Sequence, residues 1–180
     1  MLFRSFRPEL SLLLHGVLEP VRDPGPGDDR VFEDHGLYLQ EIKLTYETDR
    51  FSVYGGKFGP NFGTAWDLMP GVFGSDFNGD YEITEQIGLG GSVSFGNQAA
   101  GTHTLGASVF FADTTFLSES VITDRGRTEK SSGGVGNTED LSNFAVSLDG
   151  GGIQALPGVS YHLAFIHRDR KSTRLNSSHQ

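Results

Sequence analysis

The chain contains no cysteine, which rules out a disulfide scaffold and a thiolate metal site. It also has no run approaching the roughly 18 apolar residues of a membrane-spanning helix. Basic residues are scarce: 14 Lys and Arg stand against 23 Asp and Glu, and the formal charge of −9 argues against nucleic acid as a partner. Enzyme signatures are missing too. There is no G-x-S-x-G elbow, no H-E-x-x-H and no phosphate-binding G-x-x-x-x-G-K-[ST]. His15, His35, His103, His162, His167 and His179 are scattered, with no helical pair spaced to grip a metal. The expectation is therefore no catalysis, no metal and no cofactor. What the chain does have is 25 Gly and 14 Phe within 36% hydrophobic content. That composition fits many strands joined by turns, with enough apolar mass for one ordinary core.

The dominant periodicity is two. Ile42, Leu44 and Tyr46 alternate with Glu41, Lys43, Thr45 and Glu47, and Phe51 and Val53 alternate with Ser52 and Tyr54 before Gly55-Gly56. Ile83, Ile87, Leu89, Val93 and Phe95 share one face opposite Thr84, Gln86, Gly88, Gly90, Ser92 and Ser94. Leu105, Ala107 and Val109 oppose Thr104, Gly106 and Ser108; Phe144, Val146 and Leu148 oppose Asn143, Ala145, Ser147 and Asp149; Tyr161, Leu163 and Phe165 oppose His162, Ala164 and Ile166. Alternation of this kind predicts strands with one apolar and one polar face. With Leu10–Leu18 the count is seven. Tight joints at Thr48–Arg50, Asn97–Gly101 and Gly150–Gly158 contrast with long ones at about 59–81 and 113–140. Short turns opposite long loops are the layout of an up-and-down transmembrane barrel. Strands as long as Leu37–Glu47 and Glu82–Phe95 suit tilted membrane strands of about 9–11 residues better than the 5–6 usual in soluble sheets. The alternative left open by the pattern is a soluble or surface β-sandwich acting as a binding or adhesin module.

The stretch F-S-V-Y-G-G-K-F-G-P-N-F-G-T-A-W-D from Phe51, continuing through P-G-V-F-G-S-D-F to D-Y-E-I-T-E-Q-I-G, resembles porin-like outer-membrane proteins of Gram-negative bacteria. Upstream, F-E-D-H-G-L-Y-L-Q-E-I (Phe32–Ile42) resembles the preceding strand of the same group, so the similarity spans about Val31–Phe111. It implies an all-β, antiparallel barrel in the cell outer membrane that passes small hydrophilic solutes or ions. Lipid is then a partner, and a homotrimer remains open as the assembly. A signal peptide and a terminal strand ending in an aromatic, both hallmarks of the family, are not seen. Met1–Arg7 supplies a basic start without an adequate apolar run. The segment Asp169–His179, D-R-K-S-T-R-L-N-S-S-H, resembles a translated sequencing-library adapter. The expectation is a truncated barrel over 1–168, present as an incomplete curved sheet, with 169–180 a disordered foreign tail. Without that tail the chain would be about two charges more acidic.

A channel works without covalent chemistry, through the width and charge of its water column. The candidate pore-lining or constriction residues are Glu41 and Lys43 on a strand, Asp67, Asp76 and Asp80 in the loop after Gly59, and Arg50 and Lys57 as an opposing basic wall. Asp76–Asp80 also alternates oxygen ligands, but Tyr81 and Ile87 stand where a calcium loop needs Gly and Glu. Tyr38, Tyr46, Phe51, Tyr54, Phe58, Phe110, Phe111, Phe116 and Tyr161 lie near strand ends, where membrane barrels carry aromatic girdles.

Overall fold

The computed structural model describes residues 1–23, 25–28, 33–64, 68, 83–126, 129–132 and 134–171. Eight strands form a single antiparallel sheet in the order β1 (Leu2–Arg7), β2 (Leu10–Pro20), β3 (His35–Glu47), β4 (Phe51–Phe58), β5 (Gln86–Asn97), β6 (Gly101–Ala112), β8 (Asn143–Gly151) and β9 (Ser160–His167). The short β7 (Gly134–Val135) pairs instead with β10 (Arg170–Lys171), just beyond β9. Each main strand lies beside its neighbour in sequence, and the sheet does not close: β1 and β9 are its edges. The fold is thus all-β and up-and-down, an incomplete curved sheet.

Connections at one end are short, at 8–9, 48–50, 98–100 and 152–159. Those at the other end are long, at 21–34, 59–85 and 113–142. The sequence pattern located two of the long loops and not the first. It also gave seven strands where the main sheet has eight among the described residues. The missing one is β1, whose Leu2, Arg4 and Arg7 share a side while Phe3 and Ser5 take the other, so no clean apolar stripe announces it. Pairing with β2 specifies it instead. Two strand limits also differ from expectation. β4 runs through Gly55-Gly56 to Phe58, and β5 starts at Gln86 because Glu85 adopts a left-handed φ of 55° that interrupts an extended chain.

A bulge reconciles the pattern of β3. His15 pairs with Glu41 but Gly16 with Leu39, so Gln40 is the extra residue and the inward parity changes there. Tyr38 before the bulge and Glu41, Lys43 and Thr45 after it consequently lie on the same side of the sheet.

Candidate functional site

The two faces of the sheet differ in chemistry, and the register shows how. Leu12, Leu44, Gly55, Leu89, Val109 and Phe144 form one row across the strands. Tyr46, Val53, Gly91, Ala107, Val146 and Phe165 form the next row on the same face. This face is bare: Leu89 is 54% exposed, Val53 51%, Leu44 48% and Phe165 61%. The interleaved rows carry Thr45, Tyr54, Gly90, Ser108 and Ala145, and Ser52, Ser92, Gly106 and Ser147. They form the covered face. Along β8 the alternation is plain, with Asn143, Ala145 and Ser147 buried and Phe144 and Val146 exposed. Buried apolar residues among those described are few, namely Tyr38, Phe58, Phe110 and Ala145. The chain therefore presents its apolar surface outward and covers its polar surface, the reverse of a sheet in water.

Two loops cover the polar face. The first leaves β4 and crosses toward β8 and β9. Asn61 donates to Ser147 Oγ at 2.8 Å and to Asp149 Oδ2 at 2.9 Å, and the Gly63 N–H donates to His162 Nε2 at 3.2 Å. His162 in turn faces Asp149 Oδ1 at 2.6 Å through Nδ1. The second loop leaves β6 and reaches back as far as β3. Val121 N donates to Leu37 O at 2.9 Å, and Ser120 Oγ accepts from Leu37 N at 2.9 Å. It occupies the flank of β3 beyond the point where β4 ends.

A buried charge network anchors this second loop. Lys57 Nζ lies 2.7 Å from Asp113 and 2.9 Å from Glu85, and donates to Leu117 O at 3.1 Å. The Leu117 carbonyl is the ammonium's hydrogen-bond acceptor, and the two carboxylates are its ion-pair partners. Arg125 binds Glu85, donates from Nε to Ser118 O at 2.8 Å, and stacks 3.5 Å above the Tyr38 ring. Tyr38 closes the chain by donating to Glu19 at 2.6 Å. Lys57 is 1% exposed. Gly56, at φ +130°, breaks plain alternation at this point, and Lys57 and Phe58 are both buried. An open cavity of about 450 Å³ adjoins the network, bounded by Gln86, Asp113, Arg125 and Arg168.

The sequence candidates fall into three groups. Glu41 and Lys43 are on the polar face, half-buried and 3.9 Å apart, with His15 4.0 Å from Glu41. Lys57 and Arg50 do not share a wall: Lys57 belongs to the network at the long-loop end, whereas Arg50 lies in the short turn before Phe51. Asp67, Asp76 and Asp80, and the calcium-like Asp76–Asp80, lie outside the described residues. Sequence reasoning missed Glu85, Asp113, Arg125, Asn61, Asp149 and His162. Their partners lie up to tens of residues away, and no local spacing flags them. The girdle reading also needs correction. Tyr46 and Phe51 are on the bare face, but Phe58 and Phe110 are fully buried and pack with Tyr54 and Ala145. No group of three or more His, Asp and Glu suited to a metal occurs among the described residues.

Comparison of the chain with protein-family models, with curated proteins and with solved structures gave no match.

Proposed function

We propose that this chain forms part of a porin-type β-barrel of the outer membrane, which passes small hydrophilic solutes or ions by passive diffusion. The observation that carries the proposal is the inverted amphipathicity of the sheet. Rows of exposed Leu, Val and Phe face outward, while Ser, Thr, Asn and charged side chains lie under the loops. Lipid is the solvent that this outer face fits, and water is the filling that the inner face fits. The up-and-down order with long loops at one end, and the resemblance over Val31–Phe111, support the same reading. The edges β1 and β9, which no strand among the described residues pairs on their outer sides, cannot face hydrocarbon, because each bare N–H or C=O would cost several kcal/mol there. The pore accordingly needs further strands, on this chain or on others, to close. Glu41 and Lys43 are the lumen charges expected to tune ion preference.

The absence of cysteine makes a direct test simple. Val146→Cys and Thr45→Cys are each labelled with a fluorophore in lipid vesicles. The reading expects brominated lipid to quench the label at position 146 and aqueous iodide to quench the label at 45. Conductance in a planar bilayer then reads the channel itself. A chain that stays monomeric in water without detergent, with neither label touched by lipid, would instead be the soluble binding or adhesin sandwich.

A further inference from the structure

The loop from β4 is clasped at a histidine whose protonation state the geometry fixes. The Gly63 backbone N–H can only donate, so His162 Nε2, 3.2 Å away, must carry no proton. The single imidazole proton is therefore on Nδ1 and points to Asp149 Oδ1 at 2.6 Å. We infer that His162 is an acid-sensitive clasp that holds the Gly63 end of this loop over the polar face. A second proton, arriving at Nε2, sets N–H against N–H and removes the acceptor that Gly63 needs. The imidazolium keeps Asp149, its one charged neighbour among the described residues, and gains attraction to it. The Gly63 end of the loop loses this contact with β9.

The groups facing His162 support release at this one point. Asp149 on β8 also accepts from Asn61 through Oδ2, and Asn61 donates to Ser147. Neither bond involves the imidazole, so Asn61 stays attached and the chain pivots there. From β6, the nearby titratable group is His103, which contacts Tyr161 beside His162. It provides a contrast. The Ala100 carbonyl at 3.0 Å from its Nε2 can only accept, so His103 carries its proton there, and its Nδ1 accepts from Tyr161 Oη at 2.8 Å. On protonation the Tyr161 hydroxyl turns and accepts instead, and no contact is lost. His15, 4.0 Å from Glu41, likewise gains an ion pair on acidification. Of these three histidines, His162 alone is placed so that a proton breaks a contact. On the channel reading, release of Gly63 widens the aqueous path. The clasp itself stands on the geometry of β8, β9 and the loop, and does not depend on that reading.

The test uses the full chain in detergent micelles, with a nitroxide at Thr64→Cys, the residue after Gly63. Spin-label mobility is compared at about pH 8 and about pH 5, which bracket imidazole protonation. The expected result is a several-fold rise in the mobile fraction at the lower pH. In His162→Gln, which offers an amide oxygen to Gly63 at every pH, that rise is absent. Circular dichroism establishes that both forms retain their strands. Unchanged mobility in the parent chain overturns the inference, and so does an equal rise in His162→Gln, which would place the titrating group elsewhere. Conductance steps measured over the same pH range test the channel reading separately. A clasp that opens without any change in conductance leaves the inference standing and counts against the channel.

Discussion

At the scale of single residues, the most consequential side chain is Lys57. Its ammonium is almost fully withdrawn from water and stands between Asp113, whose side chain is 0% exposed, and Glu85. Such a network gains little overall, since desolvation offsets much of the attraction, but removing one partner leaves a buried charge unmatched. Lys57→Met should therefore destabilise the fold by roughly 3–5 kcal/mol, measured by urea unfolding in detergent. The double variant Lys57→Met/Asp113→Leu should recover much of that loss, because the stranded carboxylate is gone. A cost for Lys57→Met below about 1 kcal/mol would place these charges in water, like an ordinary surface pair. The sequence marked Lys57 as a charge of the lumen. Its partners remained hidden because Glu85, Asp113 and Leu117 reach it only once β4, β5 and β6 are side by side.

At the scale of elements, alternation was legible wherever one face is apolar along a whole strand. β8 is the clearest case, since Phe144 and Val146 against Asn143, Ala145 and Ser147 can be read without coordinates. β1 was not legible because Arg4 lies in register with Leu12 and Phe3 with Leu13, which blurs its two sides. Glycine within strands was a weaker signal still. It has no side chain to mark a face, and Gly88, near the start of β5, sits where a side chain does not fit. A Cβ at Gly88 would lie 2.1 Å from Val109 O and 2.8 Å from Phe110 Cα. Gly88→Ala must push backbone apart, and overpacking of this kind costs typically about 1–3 kcal/mol. Gly55 is the control: in the adjoining strand and on the bare face, its Cβ would come no closer than 3.6 Å to Gly88 O. Gly55→Ala should stay within about 0.5 kcal/mol of the parent in the same unfolding assay. Equal effects from the two would mean that β5 and β6 are not packed this tightly.

At the scale of the whole molecule, the decisive question is which solvent the bare face meets, and neighbouring residues in β3 can answer it. Leu44 is in the outward row, 48% exposed, and Thr45 is beside it on the polar face opposite Tyr54 and Ser11. In water, arginine at a half-exposed leucine is a surface change worth at most about 0.5 kcal/mol either way. In a bilayer, arginine on the lipid face near the midplane costs about 2–4 kcal/mol, while a lumen position takes the charge with little effect on folding. The expected ordering is that Leu44→Arg impairs insertion and lowers stability in vesicles by that amount. Thr45→Arg should insert normally and, close to Lys43, shift ion preference toward anions. Folding into vesicles, followed by circular dichroism and by protection from protease, measures both. Two equally benign substitutions would remove lipid from the outer face, and the inverted amphipathicity would then need a protein surface to cover it.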